Sequence, residues 1–185
     1  MAKQVSNTDK VTTLITGDTG TGKEELAKYI HENSSRNKNK MVVINCAAFN
    51  NDELLESRLF GHLKGVFTGA HKTKNGAFQH ANNSTIFLDE IGDISPKMQQ
   101  TLLRVLQEKE ISKLGSIKAE KINVRVIAAT HKNLEALSRK GEFRWDLYFR
   151  LAVAELHIPG IKDWKPSERN DIFNFLMEKW RHELK

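Results

Sequence analysis

The stretch Thr12 to Glu24, TTLITGDTGTGKE, constrains this chain more than any other, because it runs from an apolar β-branched strand through a glycine loop into a helix. Gly17, Gly22 and Lys23 fit the spacing G-x-x-x-x-G-K, with Gly20 between them. Residues without a Cβ let the backbone turn tightly and aim successive N–H groups inward. Gly17, Asp18, Thr19, Gly20, Thr21 and Gly22 are therefore expected to form an anion nest at a helix N-terminus. Lys23 adds a movable cation for the β- and γ-phosphates of a nucleotide. Glu24 stands where a Ser or Thr would usually ligate Mg²⁺, so a metal there must lean on another carboxylate and on water. The context fits the chemistry: a strand holding Val11, Leu14 and Ile15 precedes the loop, and Leu26, Ala27 and Ile30 give the following helix an inward face.

Further along, strand and helix patterns alternate. The spacing predicts strands at Met41 to Asn45, Thr85 to Leu88, Val124 to Ala129 and Val153 to Ile158. Helices are predicted over Asp52 to Phe60, from Pro96 onward with a Met98, Leu102, Val105, Leu106 stripe, near Asn133 to Arg139 and near Glu142 to Arg150. GHLKGVFTGAHK, with three glycines and an apolar tip, reads as an exposed loop or hairpin. This alternation implies an α/β fold with a mostly parallel sheet flanked by helices, whose ligands sit beyond the strands' carboxyl ends. Gly17 to Lys23, Asp89 to Glu90 and Thr130 to His131 all lie at such ends.

Asp89 and Glu90 follow the apolar strand TIFL, a placement suited to nucleotide hydrolysis: one carboxylate holds Mg²⁺ and the next polarises the attacking water. The other reading is an acidic turn after a strand. The single cysteine, Cys46, reads as a small buried residue in a reducing cytoplasm.

These residues resemble the AAA+ ATPase domain of bacterial sigma-54-dependent transcription activators, the enhancer-binding proteins. The most specific feature is GVFTGA at Gly65 to Ala70, similar to the family's GAFTGA loop and preceded by ESRLFGHLKG. Ile86 to Asp93 resembles LFLDEIGD, Leu102 to Glu108 is LLRVLQE, Val124 to His131 is VRVIAATH, and Phe143 to Arg150 fits F-R-x-D-L-Y-x-R. The resemblance spans about Leu14 to Ile158.

The resemblance implies a P-loop NTPase of AAA+ type that binds ATP and Mg²⁺ and hydrolyses ATP. Gly17 to Glu24 looks like Walker A, in which glutamate after the lysine is usual. Asp89 looks like the Mg²⁺ ligand of Walker B and Glu90 like its water-activating base. Asn45 would hold Glu90 in an inactive rotamer and link nucleotide state to the 65–70 loop, although a strand-end Asn that caps a turn reads nearly as well. His131 occupies a position similar to sensor I, which reads the γ-phosphate. Arg144 and Arg150 look like arginine fingers inserted toward a neighbouring subunit's nucleotide. Gly65, Val66, Phe67, Thr68, Gly69 and Ala70 would contact sigma-54, with Phe67 and Thr68 as an exposed adhesive tip between hinging glycines. The partners implied are sigma-54, RNA polymerase and sister subunits in a hexameric ring.

The chain also departs from the family pattern. Val66 replaces the usual Ala, Asn83-Ser84 replaces a Gly-Gly pair, and Pro159 to Arg169 replaces the usual PPLRER turn. The expected organisation is a polar leader over 1–10, an α/β core over 11–158, and an altered linker over 159–185. That linker leads into an amphipathic helix (Ile172, Leu176, Trp180, Leu184) resembling the first helix of an incomplete lid.

Composition sets the outer limits. With 185 residues, 39% of them hydrophobic, the chain can build one α/β core but not two comfortable domains. No run of 18 apolar residues can span a bilayer, and the polar start has no signal-peptide core, so a cytoplasmic protein is expected. The net charge of +6 permits nucleic-acid contact, but Lys and Arg are scattered along the sequence, and no sequence-specific DNA-binding module is present. The expected activity is ATP-driven remodelling of the closed complex of sigma-54 RNA polymerase, weak in this chain alone. The alternative is a fragment or regulatory module that binds sigma-54 or sister subunits without efficient turnover.

Overall fold

A computed structural model of the chain describes residues 2–8, 11–49 and 51–165. The helix expected beyond Asn170 lies outside the described residues. Five strands form one parallel sheet: β1 Thr13–Thr16, β2 Val42–Asn45, β5 Thr85–Asp89, β8 Arg125–Thr130 and β9 Ala154–His157, in the order β2-β5-β8-β1-β9. The in-register pairs Thr16↔Thr130, Thr16↔His157 and Asn45↔Asp89 align the carboxyl ends along one edge. The helices are α1 Ala2–Ser6, α2 Lys23–Glu32, α3 Asp52–Phe60, α4 Ala77–His80, α5 Pro96–Glu108, α6 Leu134–Arg139 and α7 Trp145–Leu151. Two small antiparallel hairpins lie outside this sheet: β3 Gly61–His62 with β4 Lys74–Asn75, and β6 Glu110–Ser112 with β7 Ala119–Lys121.

The period of two along each strand divides the core. Leu14, Ile86, Leu88, Val126 and Ala128 point to one face, where α3, α5 and α7 pack; Ile15, Phe87, Ile127 and Ala129 point to the other, onto Ala27 and Ile30 of α2. Burial on both faces explains why β8 reads as a continuous apolar run. Local signals set the helix ends. Ser95 caps α5 by accepting from Met98 N at 3.2 Å, with Pro96 at the first helical position, and Asn51 caps α3 by accepting from Leu54 N at 2.8 Å. Each fully buried apolar side chain contributes about 1.5–3 kcal/mol. The Met98, Leu102, Val105, Leu106 stripe therefore outweighs the marginal intrinsic stability of a 13-residue helix.

Besides the short helix α4, two features differ from the sequence reading. Within the residues read as a polar leader, Ala2–Ser6 is a helix packed against α2, with Val5 on the cluster that holds Ala27 and Ile30, and buried Arg125 of β8 ties its end by donating to Val5 O at 2.7 Å and to Ser6 O at 3.3 Å. The β6–β7 hairpin was not anticipated. Its three-residue strands carry too many charges to show a period. No helix among the described residues is long and apolar enough to cross a membrane.

Candidate functional site

The site is built at the carboxyl edge of the sheet. β1 ends at Thr16, and the next backbone runs so close to β9 that a Cβ on Gly17 would stand 2.6 Å from the carbonyl oxygen of Ile158. Gly22 takes a φ of 86° as the N-cap of α2, a left-handed conformation that favours glycine. Between them, Thr21 folds back on Asp18, its N–H and hydroxyl both donating to the Asp18 carbonyl at 3.3 and 2.8 Å. Lys23 is buried, and its Nζ donates to the carbonyls of Gly17 and Asp18 at 2.9 and 3.0 Å, inside the turn of the loop. Glu24 is drawn to Lys28, which also pairs with Glu25; both contacts are 3.0 Å, and the Glu24 bond comes first in raising the Lys28 pKa.

Across the sheet, Asp89 closes β5 and accepts the Glu90 N–H on Oδ1 at 3.0 Å. Burial raises the Asp89 pKa; the Glu90 N–H and the Lys23 ammonium oppose that rise, and the Glu90 charge adds to it. Glu90 is held at a φ of 52°, a left-handed backbone for a non-glycine residue. Its Oε2 lies 2.8 Å from His131 Nδ1 and accepts the His131 N–H at 3.4 Å. A carboxylate only accepts, so the imidazole proton of this contact sits on Nδ1. Asp93 pairs with Lys132 at 2.6 Å, and Glu90, Asp93 and His131 offer cation-ligand atoms within 4.8 Å of one another. A cavity of about 330 Å³ adjoins the loop, lined by Thr16, Gly17, Asp18, His131, Tyr148 and His157. Tyr148 and His157 were missed in the sequence; the signal for His157 is its place at the carboxyl end of β9, 3.1 Å from Thr16 Oγ1.

Three further expected residues have these contacts. Asn45 Oδ1 accepts from Ala47 N at 2.9 Å and caps the 3-10 turn Cys46–Ala48, with no hydrogen bond to Glu90 among the described residues. The turn-capping reading therefore describes its contact. Arg144 is turned onto Asp146, with hydrogen bonds of 3.0 and 2.7 Å, and Arg150 donates to Leu106 O at 3.0 and 3.3 Å. Neither arginine meets this chain's own phosphate loop in any hydrogen bond or ion pair among the described residues. Cys46 is buried, which pushes its thiol up to about 12 and removes it as a nucleophile.

The 65–70 loop closes on itself, Gly65 N donating to Ala70 O at 2.8 Å and Ala70 N to Phe67 O at 3.0 Å. Gly65 and Gly69 take φ values of 83° and 99°, left-handed backbone that favours glycine. Thr68 is exposed, but Phe67 is not the free tip anticipated. Its ring stands edge-on against buried His62 at 4.9 Å, and His62 in turn lies 2.7 Å from Ser57 Oγ. Half-burial of an aromatic ring against its own hairpin is the lower-energy arrangement in water.

A family model described as the sigma-54 interaction domain matches residues 1–157. The transcriptional regulatory protein ZraR of Escherichia coli K12 is 52% identical over 163 residues, covering 88% of this chain and 36% of ZraR. The Nif-specific regulatory protein of Azospirillum brasilense is 51% identical over 163 residues, covering 88% of this chain and 25% of that protein. The chain thus spans between a quarter and about a third of the length of these relatives. A crystal structure of NtrX from Brucella abortus in complex with ADP superposes with a TM-score of 0.78 at 34% identity, covering 86% of this chain and 34% of NtrX. The ATP complex of the same protein gives 0.77 at 34% identity, covering 86% and 35%.

Proposed function

The chain belongs to the sigma-54 interaction domain family of transcriptional regulators, with its AAA+ fold, and from that premise we propose that it binds and hydrolyses ATP to drive the Gly65–Ala70 loop against sigma-54 and so remodel the closed promoter complex. The observation that carries this reading is geometric: the carboxyl edge of one parallel sheet holds both the loop that buries Lys23, directly after β1, and the carboxylate pair Asp89 and Glu90, which closes β5. ADP and ATP complexes of NtrX support nucleotide as the ligand.

The loop N–H groups and Lys23 would bind the phosphates, which requires the ammonium to leave the Gly17 and Asp18 carbonyls for stronger, charge-assisted acceptors. Mg²⁺ fits the donors present, since Asp89 commits one oxygen to the Glu90 N–H and a hard cation takes oxygen ligands and water. When bound, the ion would neutralise charge on the β- and γ-phosphates. Glu90 would accept a proton from the attacking water, and Arg144 and Arg150 would act on a neighbour's nucleotide in a ring. Because both arginines are held away from this chain's own loop, a second reading is a module that binds partners with little turnover alone.

Nucleotide binding and single-turnover hydrolysis, measured on the same proteins, test the proposal. Lys23→Ala should abolish binding, and Glu90→Gln should retain binding while hydrolysis falls by about 100-fold or more. Equal hydrolysis by Glu90→Gln and the parent would reject the assignment.

A further inference from the structure

Cations that are dispersed along the sequence are gathered by the fold onto two adjacent hairpins. Residues 61–75 and 110–121 carry six lysines against two glutamates, and no arginine. The hairpins are braced together: Leu63 N donates to Leu114 O and Leu114 N to Gly61 O, both at 3.0 Å, beside a parallel bridge from His62 to Leu114. Val66 seals the junction, since a Cβ on Gly115 would stand 2.4 Å from Val66 Cγ2. From this one base project Lys64, Lys72, Lys74, Lys118 and Lys121, all exposed and without an ion pair among the described residues; Lys113 alone is committed, to Glu120 at 3.7 Å. Ile117, fully exposed, marks the far tip of the second hairpin.

We propose that this paired-hairpin surface binds the phosphate backbone of duplex DNA without sequence preference, a contact additional to the one proposed for sigma-54 and independent of nucleotide turnover. A cluster of lysines without arginine offers flexible point charges and lacks the rigid forks that read a base edge or clamp a carboxylate with two bonds. Such charges suit a regular row of phosphates, from which they release counterions. An acidic protein segment is the competing partner, and the lack of bidentate donors on the hairpins argues against it.

The test uses the 185-residue chain and a fluorescently labelled duplex of arbitrary sequence, with affinity followed by anisotropy as salt is raised. A variant with Lys64→Gln, Lys72→Gln, Lys74→Gln and Lys118→Gln is compared with a control of equal charge change at exposed sites elsewhere: Lys3→Gln, Lys38→Gln, Lys40→Gln and Lys140→Gln. The hairpin variant should lose about 10-fold or more in affinity at low salt, and its log–log salt slope should fall by about 0.9 per phosphate contact removed. The control should lose less than about threefold and keep its slope. Equal losses in the two variants would assign the binding to net charge and overturn the proposal, as would an unchanged hairpin variant. Displacement of the chain from DNA by a poly-glutamate peptide at lower charge concentration than by unlabelled duplex would overturn it in favour of an acidic protein. Matching thermal melts of the variants confirm that folding is not what changed.

Discussion

Glu90 and His131 are joined across the ends of neighbouring strands by a 2.8 Å contact between carboxylate and imidazole, with the His131 N–H adding a second, longer bond to the same oxygen. The proposed base is therefore oriented by the residue that follows β8. Asn45, on the strand to its other side, turns its amide to its own backbone. His131→Ala should lower the single-turnover rate on the order of 10-fold while ADP affinity stays within about twofold, because orientation of the base is lost and the phosphate contacts remain. His131→Asn, whose amide can still donate, should recover most of the rate. An unchanged rate in His131→Ala would show that the pair has no part in hydrolysis.

The parallel sheet was legible because its central strands are apolar on both faces and each strand ends in a polar residue, so that Leu14 and Ile15, or Phe87 and Leu88, need no partner to be recognised. The phosphate loop was legible because Gly20 and Gly22 answer to a left-handed local backbone, although the approach of Ile158 O that excludes a Cβ at Gly17 comes from a distant strand end. Much of what sequence reasoning missed depends on contacts between distant segments: Val66 covers Gly115 across 49 residues of chain, and lysines from two hairpins come to one base. The turn of Phe67 onto His62 is local but follows from how the hairpin folds back on itself. None of these leaves a local period. For Asn45, the elementary reading as a turn cap describes the contact it makes, while the role that the resemblance implies concerns a nucleotide-bound state.

The loop makes a second prediction about partner binding. Thr68 is exposed while Phe67 leans on His62, so the two residues differ in what substitution disturbs. Thr68→Ala should leave folding and ATP hydrolysis intact and eliminate the complex with sigma-54 trapped by ADP and aluminium fluoride. Phe67→Ala should also abolish trapping, and in addition lower stability by about 0.5–1.5 kcal/mol for the lost ring contact. Trapping of Thr68→Ala at the parent's level would remove the loop from the proposed interface.

His31 sets an acid limit on stability. It is buried between Thr85 Oγ1 at 2.9 Å and the Asn39 carbonyl at 3.0 Å, so its Nε2 donates and its Nδ1 accepts, the neutral form. Burial lowers its pKa from the ordinary 6.5, with the Asn39 bond acting in the other direction. The unfolded chain then binds the proton first as pH falls. The stabilising contribution is complete above the unfolded value of 6.5 and is lost below it, as pH drops toward the lowered folded pKa. Urea unfolding of the parent and of His31→Gln, repeated above and below that value, should show the parent losing more stability on the acid side. Parallel loss in the two proteins would assign the acid sensitivity elsewhere.

The arginines give the most demanding prediction, because they test whether the site is completed by a second copy. Arg144 is tied to Asp146 at the start of α7 and Arg150 to the Leu106 carbonyl at the end of α5, and among the described residues neither makes a hydrogen bond or ion pair with the loop that holds Lys23. If they serve a neighbour's nucleotide, hydrolysis per chain should rise with protein concentration, and two inactive variants should complement each other. Lys23→Ala supplies arginines but binds no nucleotide; Arg144→Ala with Arg150→Ala binds nucleotide but supplies no arginine. Mixed together, they should regain a measurable fraction of parental turnover, since some contacts will pair an intact loop with intact arginines. A guanidinium placed on the transition-state charge is worth about 10³–10⁵ in rate, so even a minority of productive contacts would exceed the activity of either variant alone. Turnover independent of concentration, with no gain on mixing, would mean that the arginines act within their own chain or not at all, and would leave the low-turnover binding module as the better reading.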